Sequence, residues 1–355
     1  MAAENRPTPI SLSQNDFLDS ETGQLALPSL IPEDAERSFK IRRNHYLGNH
    51  SLDESIKLIR RYSIADEYLD AYARLSDVDL NYLRFIANFK SIQQIHAYRQ
   101  AELFPEFYGD GKHKTMKVAQ KSLVRLTMLG LIDKWSYLHP VYQKDVNVYT
   151  LSGNGFRFLE YFFGNNDHYF HPSNFFQLPD FFHVRFWETT DIYQTLVSLP
   201  AYKDSSYFFN NENIVYSPLQ ISFAFELPNI QNLVIYPTLQ IDRLDYYQNV
   251  IAKWNGFVES GDDLSKPINE LPHATNVLTF YATTVEKALF FTQRLRLAQW
   301  RFPIVFIIGT KLRTKGAKNA FYRPVADSSG ESGLYRINAE NIMDVKYYEN
   351  TEEKY

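Results

Sequence analysis

Three helical patterns followed by two strand patterns occupy the run from Ser76 to Phe163, and few folds accommodate that order of elements. In the first pattern the apolar residues Leu80, Leu83 and Ile86 recur three residues apart, as one buried helix face requires. The two strand patterns are joined by the short connection HPVYQKD. The five stretches, in chain order, are SDVDLNYLRFIANF, KSIQQIHAYRQAELFP, TMKVAQKSLVRLTMLG, LIDKWSYL and VNVYTLS.

The ends of these helices carry residues with known terminal preferences. Ser76 or Asp77 is the predicted N-cap of the first helix. The second helix is predicted to begin at Ser91 and to stop at Pro105, and Gly130 is predicted to end the third. A last helix, GNGFRFLEYFF, closes the run. Three helices followed by a β-hairpin is the order of a winged helix-turn-helix DNA-binding domain.

The third helix carries the chemistry that such a domain needs. Lys114, Lys117, Lys121 and Arg125 are spaced three, four and four residues apart, which places four cations on one helix face. The opposite face carries Ala119, Leu123 and Leu126, which can pack on the first two helices. A cationic helix face beside a hairpin fits a DNA groove, because each neutralised phosphate releases counterions. The alternative is an ordinary solvated basic face.

Further candidates for contact with phosphate flank this helix. Lys112 and Thr115 lie at its start, and Lys134 and Lys144 lie on the predicted hairpin. A second basic segment, Gly309 to Arg323, follows an apolar strand pattern and is predicted to be a loop. Its cations are an additional candidate nucleic-acid contact, with a solvated loop as the alternative. They are Lys311, Arg313, Lys315, Lys318 and Arg323.

The distribution of charge points to a localised binding surface. The chain has a net charge of −4, which argues against general coating of nucleic acid. Residues 84–125 nevertheless hold eight basic and three acidic residues, whereas residues 151–250 hold four basic and ten acidic residues. Basic patches on an otherwise acidic chain favour a polyanion as partner.

Composition restricts the compartment. The sequence contains no cysteine, so disulfides and thiolate metal sites are excluded and a reducing compartment is expected. We find neither a signal-peptide pattern nor 18 consecutive apolar residues. The sequence therefore predicts a soluble, cytoplasmic protein with no membrane partner.

The sequence predicts three regions. Residues 1–50 are expected to form a flexible N-terminal arm. Residues 51–170 combine a helical lead-in, with a capping box at Ser51 and Glu54, and the winged helix-turn-helix domain. Residues 171–355 alternate strand and helix patterns, which predicts an α/β domain with a mixed sheet. The predicted fold class is thus α+β for the whole chain, with an α/β second domain.

The stretch LQIDRLDYYQNVIAKW, Leu239 to Trp254, is the candidate site of the second domain. An apolar run leads into it, and Asp242, Asp245 and Lys253 follow. Acids and a lysine after a strand are typical of metal-dependent phosphodiesterases, but Gln240 stands where such sites place a carboxylate. The alternative is that Asp242 caps the following helix and that Lys253 is solvated.

Three stretches resemble the replication-relaxation family of plasmids, phages and conjugative elements. They are LTMLGLID with its following hairpin, YTLSGNGFRFL and LQIDRLDYYQNVIAKWNGF, and the resemblance covers roughly residues 75–310. In that family the last stretch has an E-x-D pattern on a strand, then a helix with a lysine and an aromatic residue four positions later. Lys253 and Phe257 take those two places here.

The resemblance implies that the second domain has a restriction-endonuclease-like core whose active site is degenerate. Leu219 stands at the position of the first carboxylate, and Gln240 at that of the second. Glu226, Asp242 and Lys253 remain as residual catalytic candidates, without the charge that a magnesium site needs. The second domain is therefore expected to be an interaction platform rather than an enzyme, and neither a metal nor a cofactor is expected.

The expected function is sequence- or structure-directed binding of double-stranded DNA by a protein of a mobile element. It would act by occupancy and recruitment in plasmid or phage replication, transfer or regulation. The candidate protein partners are a replication, transfer or transcription protein, or a second copy of the chain in a homodimer. Two alternatives stay open: a metal-dependent DNA nuclease or nickase with a rearranged site, and an adaptor that binds only proteins.

Overall fold

The computed structural model of the chain describes residues 39–47, 50–109, 115–140, 143–164, 169, 171–207, 219–226, 229–239, 242–259, 271, 275–315, 317–326, 330 and 332–337. Helices and strands are mixed, and the strands form one sheet of four and one of seven. The described residues divide into an N-terminal unit that ends at Gln194 and a C-terminal unit that begins at Thr195.

The N-terminal unit consists mainly of helices, with four short strands. Its helices are α1 (Leu52–Leu58), α2 (Ala65–Arg74), α3 (Asp77–Phe89), α4 (Gln94–Leu103), α5 (Pro105–Tyr108), α6 (Thr115–Met128), α7 (Gly153–Phe163) and α8 (Phe181–Leu196), with a 3-10 turn at Pro172–Phe176. Its strands are β1 (Ile41–Arg43), β2 (Ser91–Gln93), β3 (Ile132–Leu138) and β4 (Asp145–Leu151).

Two predicted helix starts are confirmed. The hydroxyl of Ser51 accepts a hydrogen bond from the N–H of Glu54, whose carboxylate accepts one from the N–H of Ser51 at 2.8 Å. Ser76 and Asp79 form the same reciprocal pair at the start of α3. Both boxes satisfy backbone donors that the first helical turn leaves without a partner.

Gly130 ends α6 as predicted, with a φ of +64°. Its N–H donates to the carbonyl of Thr127, and the N–H of Leu131 donates to that of Leu126, which closes the last turn. A Cβ at Gly130 would lie 2.3 Å from the carbonyl oxygen of Arg60. Both the backbone conformation and the close approach therefore require glycine.

The four strands form an antiparallel sheet in the order β1-β3-β4-β2. The predicted hairpin is β3 and β4, paired from Ile132 opposite Leu151 to Leu138 opposite Asp145. The prediction that the second helix begins at Ser91 is wrong, because Ser91–Gln93 pairs with β4 and the helix begins at Gln94. The Ser91 hydroxyl bonds with distant groups in α8, the His183 ring and the Trp187 N–H.

β1 lies within the segment that the sequence analysis assigns to the flexible arm. Ile41 pairs with Tyr137 of β3, and the buried ring of Phe39 contacts the rings of Tyr137 and Trp187. These long-range contacts hold residues 39–43 on the sheet, although no local pattern encodes them. The rest of the predicted arm, apart from residues 44–47 and 50, lies outside the described residues.

The N-terminal unit also extends past the expected boundary at residue 170, since α8 packs on its sheet. Trp187 is fully buried and stacks on Tyr137 with 4.9 Å between ring centroids. Asp191 is ion-paired with Arg99 of α4, and the Gln194 amide donates to the carbonyl of His96 at 2.7 Å. Aromatic and polar contacts of α8 thus complete the first unit, up to Gln194.

The segment that precedes α3, which we call the lead-in, covers the C-terminal end of α6. The N–H of Arg60 donates to the carbonyl of Met128 at 2.8 Å, and the Tyr62 hydroxyl donates to that of Leu129 at 2.8 Å. These bonds satisfy carbonyls that the last helical turn leaves open.

The C-terminal unit is built on a seven-stranded mixed sheet in the order β11-β10-β9-β8-β7-β6-β5. Its strands are β5 (Tyr202–Ser206), β6 (Leu219–Glu226), β7 (Asn229–Pro237), β8 (Thr275–Ala282), β9 (Ile304–Ile308), β10 (Phe321–Ala326) and β11 (Ser332–Arg336). Its helices are α9 (Leu244–Glu259), α10 (Val285–Arg294) and α11 (Gly309–Lys315), with 3-10 turns at Leu297–Gln299 and Ala317–Asn319. None of the described helices in either unit combines the length and apolar character that a membrane span needs.

The predicted alternation of strands and helices is present in this unit. β7, β8 and β9 are parallel, with α9 and α10 as the connections, whereas the outer strands are antiparallel. Both helices pack on one sheet face, where Trp254 and Phe291 belong to a single apolar core with Phe280 and Phe306. Burial of these large rings is the main source of stability for the unit.

The predicted basic loop from Gly309 to Arg323 is wrong. The segment instead forms α11, the turn Ala317–Asn319 and the start of β10. Leu312, Ala317 and Phe321 are buried along it, so its apolar residues, which the basic composition obscures, hold the segment against the unit.

Candidate nucleic-acid interface

The outward face of α6 carries the candidate site. Lys117 and Lys121 are exposed one helical turn apart, while Ala119, Leu123 and Leu126 on the opposite face are buried. α6 packs against α3 and α4, so its buried face is fixed by the core of the unit. Lys112 and Lys114 lie outside the described residues, as does the side chain of Thr115. The predicted division of α6 into basic and apolar faces is present over its described length.

Arg125 lies on the same helix but is not a free cation. Its guanidinium forms an ion pair with Asp79, whose side chain is completely buried and also accepts hydrogen bonds from the N–H and hydroxyl of Ser76. Arg125 itself remains 46% exposed. The pair joins α6 to the N-terminus of α3, so part of the Arg125 charge serves the fold rather than an external phosphate.

An open groove with a volume of about 730 Å³ runs along this face of α6, and we call it the α6 groove. Arg74 at the end of α2 forms part of its wall, with its guanidinium 3.1 Å from the Asp70 carboxylate. The groove combines cations with apolar and amide groups, a mixture suited to phosphates and base edges together. Its lining residues are Arg74, Lys117, Gln120, Lys121, Val124, Arg125, Met128 and Leu129.

Sequence reasoning missed five of these residues: Arg74, Gln120, Val124, Met128 and Leu129. For three of them a signal was present, because Gln120, Val124 and Met128 lie three, seven and eleven residues after Lys117, on the same helix face. Only the cations on that face were predicted as contacts. Arg74 precedes the predicted domain core, and its position beside α6 follows from the tertiary packing of the lead-in.

Of the two predicted hairpin cations, Lys144 is exposed and lies immediately before β4. Lys134 on β3 is half-buried, and burial lowers the pKa of its ammonium group. On the neighbouring strand Arg43 pairs with Asp133 and lies over the rings of Trp135 and Phe176. Lys144 is therefore the better of the two predicted hairpin contacts.

Of the residual catalytic candidates in the C-terminal unit, the structure describes the side chains of Asp242 and Lys253. The Asp242 carboxylate accepts hydrogen bonds from the N–H of Leu239, at 2.9 Å, and from the Tyr247 hydroxyl. Lys253 is exposed on α9, about 13 Å along the helix axis from Leu244. Asp242 thus organises the turn before α9. Gln240 and the side chain of Glu226 lie outside the described residues.

The carboxyl edge of the parallel strands, where α/β proteins often bind ligands, is occupied by internal bonds. The Lys287 ammonium donates to the carbonyl of Thr238 at 2.9 Å, and the Thr238 hydroxyl donates to that of Tyr281. Within the described ranges no group of three or more His, Cys, Asp or Glu residues is placed to hold a metal ion.

The cations of the second basic segment lie on different elements. Lys311 is on α11, whereas Arg323 is exposed on β10 beside a 530 Å³ pocket that Trp300 also lines. The side chains of Arg313, Lys315 and Lys318 lie outside the described residues. The two described cations of this set, Lys311 and Arg323, thus lie on a helix and a strand rather than on one loop.

No protein-family model, curated protein or solved structure matches the chain. The resemblance to the replication-relaxation family therefore stays a prediction from the motifs.

Proposed function

We propose that the chain binds double-stranded DNA through its N-terminal unit, with α6 as the recognition helix of a winged helix-turn-helix. The observation that carries the proposal is the exposed pair Lys117 and Lys121 on a helix whose opposite face is locked in the core. A rigid helix that presents cations outward can enter the major groove and contact phosphates on either side.

The order of elements supports the winged-helix assignment. Helix α3, the short strand β2, three further helices (α4, the four-residue α5 and α6) and the hairpin follow one another, and β2 pairs with β4 of the hairpin. The hairpin follows α6 directly in the chain, as a wing follows the recognition helix, and we propose that it contacts the DNA backbone. Lys144 is the proposed contact of the wing.

Local electrostatics explain how an acidic chain can bind DNA. The net charge is −4, so attraction depends on the cations of the α6 groove rather than on the whole molecule. Each lysine that neutralises a phosphate releases counterions, which makes the affinity fall with salt. The exposed lysines supply this attraction, and the Arg125–Asp79 pair holds their helix in place.

The C-terminal unit is proposed as a platform for a protein partner or a second copy of the chain. The nuclease alternative is not favoured, because the Asp242 carboxylate is hydrogen-bonded to Leu239 and Tyr247, and Lys253 lies about two and a half turns into α9. Together with the family resemblance, this makes occupancy and recruitment on a mobile element, in the cytoplasm of its host, the proposed role.

A gel-shift comparison tests the proposal. The full-length Lys117→Glu/Lys121→Glu variant should lose binding to duplex fragments of the native DNA at least tenfold, because two attractive contacts become repulsive. The matched control is Lys203→Glu/Lys253→Glu, which reverses two exposed lysines in the C-terminal unit. Equal binding by the wild type and both variants would mean that α6 does not carry the interaction.

A further inference from the structure

The α6 groove contains more than cations. Along its exposed side Lys117, Gln120, Lys121 and Val124 follow one another at helical spacing, so an amide and an apolar side chain share the surface with the lysines. Val124 is 44% exposed, so part of an apolar side chain faces the groove. The Gln120 amide makes no hydrogen bond to any other residue that the structure describes.

Position on the helix determines which of these side chains can reach a base. The lead-in covers the C-terminal end of α6 through the carbonyls of Met128 and Leu129, whereas Gln120 and Lys121, nearer its start, are exposed in the described structure. Recognition helices contact base edges chiefly through their N-terminal turns. Gln120 lies in the second turn of α6 and Val124 in the third, whereas Arg125 is held by Asp79.

We propose that Gln120 and Val124 read adenine and thymine in the major groove, with Lys117 and Lys121 on the flanking phosphates. This inference rests on the proposed function and adds sequence selectivity to it. A glutamine amide can donate to N7 and accept from the N6 amino group's hydrogen at the adenine edge in a paired contact, and a valine methyl packs on the thymine C5-methyl group. Neither contact is available at a G·C pair.

The helix geometry also fixes the spacing of the two contacts. Residues four apart are separated by about 6 Å along a helix axis, and successive base pairs by about 3.4 Å. The adenine that Gln120 contacts and the thymine that Val124 contacts therefore lie within about two base pairs of each other. The preferred site should contain a short A·T-rich step at the centre of the α6 footprint.

Selection of bound duplexes from a random library tests the inference with the full-length protein. The wild type should enrich a motif with the A·T step, and Gln120→Ala should lose the preference for adenine while keeping most of its affinity for unselected DNA. Gln120 and Val124 are both exposed, and alanine favours helix, so replacement of either residue by alanine preserves folding. Gln248→Ala, an exposed glutamine on α9, is the matched control and should enrich the wild-type motif.

Modified duplexes assign each contact to an atom. Replacement of the read adenine by 7-deazaadenine, or of the read thymine by uracil, should weaken wild-type binding about tenfold. The first replacement should leave Gln120→Ala unaffected, and the second Val124→Ala. If Lys117→Glu/Lys121→Glu abolishes binding but Gln120→Ala and Val124→Ala enrich the wild-type motif, DNA binding stands and base reading by these residues is wrong. If the wild type binds no duplex, the proposed function fails with it.

Discussion

The guanidinium of Arg125 pairs with the completely buried carboxylate of Asp79, and this contact ties the recognition-helix candidate α6 to the first turn of α3. Asp79 simultaneously closes the capping box with Ser76. One buried acid therefore organises a helix start and the position of the basic face. Arg125, which the sequence groups with the three lysines of the basic face, is engaged by this carboxylate and remains 46% exposed.

Arg125→Ala is expected to lower the free energy of unfolding by about 2 kcal/mol, since it leaves the Asp79 carboxylate buried without its ion pair. The value is below that of a fully buried pair because Arg125 is 46% exposed. Urea unfolding measures it. Lys121→Ala on the same face is the control and should change the free energy by less than about 0.5 kcal/mol. Equal effects of the two variants would mean that the pair contributes no stability.

Gly130→Ala is expected to destabilise the N-terminal unit by at least about 1 kcal/mol. The residue has a φ of +64°, and the new Cβ would meet the Arg60 carbonyl oxygen at 2.3 Å. Gly256→Ala is the matched control, because that helical glycine has no neighbour within 4 Å. It should raise the stability by about 0.5–1 kcal/mol. Thermal unfolding of both variants separates the cases, and a stabilising Gly130→Ala would contradict the observed turn.

Stability should fall as the pH is lowered from about 6.5 towards 3. Burial lowers the pKa of His96 from an ordinary value of 6.5 to about 3. Between these two pH values the unfolded chain binds a proton at His96 that the folded unit does not bind. One such proton costs roughly 1.4 kcal/mol per pH unit. His183, with its pKa lowered to about 4 by burial, acts in the same direction.

Unfolding free energies at pH 7, 6 and 5 measure this dependence. His96→Gln keeps an acceptor for the capping bond from the Gln93 N–H and removes one titrating group, so its curve should be flatter than that of the wild type. His50→Gln, at an exposed position, is the matched control for a histidine-to-glutamine substitution. An identical slope for all three proteins would show that His96 does not titrate with folding.

Asp242→Asn should leave DNA binding unchanged and lower the stability of the C-terminal unit by about 1 kcal/mol. The substitution weakens the bonds of this side chain with the Leu239 N–H and the Tyr247 hydroxyl. Neither wild type nor variant should nick supercoiled plasmid with magnesium or manganese. Nicking by the wild type that Asp242→Ala abolishes would restore the nuclease alternative.

Local features of the fold could be predicted from the sequence because they depend on near neighbours. The capping boxes at Ser51 and Ser76 need only residues three positions apart, and Gly130 needs only its own backbone conformation. The buried side of α6 follows from helical periodicity. The mixed helices and strands of the C-terminal unit follow in the same way from alternating patterns.

Features that depend on residues far apart in the sequence could not be predicted from local patterns. Ser91 begins a strand rather than a helix because β4 pairs with it, and Arg125 is engaged by a carboxylate 46 residues away. Residues 309–323 form ordered elements because buried Leu312 and Phe321 outweigh the basic composition. For the site, helical spacing identified the cations, but Arg74 joins the groove only through tertiary packing.

The salt dependence of duplex binding tests the central claim most directly. Fluorescence anisotropy with a labelled native DNA duplex, between 50 and 200 mM salt, gives the slope of log affinity against log salt concentration. The account predicts that Lys117→Ala/Lys121→Ala weakens binding and reduces the slope by about two, whereas Lys203→Ala/Lys253→Ala leaves both unchanged. A wild-type slope that the first pair of substitutions does not alter would contradict DNA binding through α6.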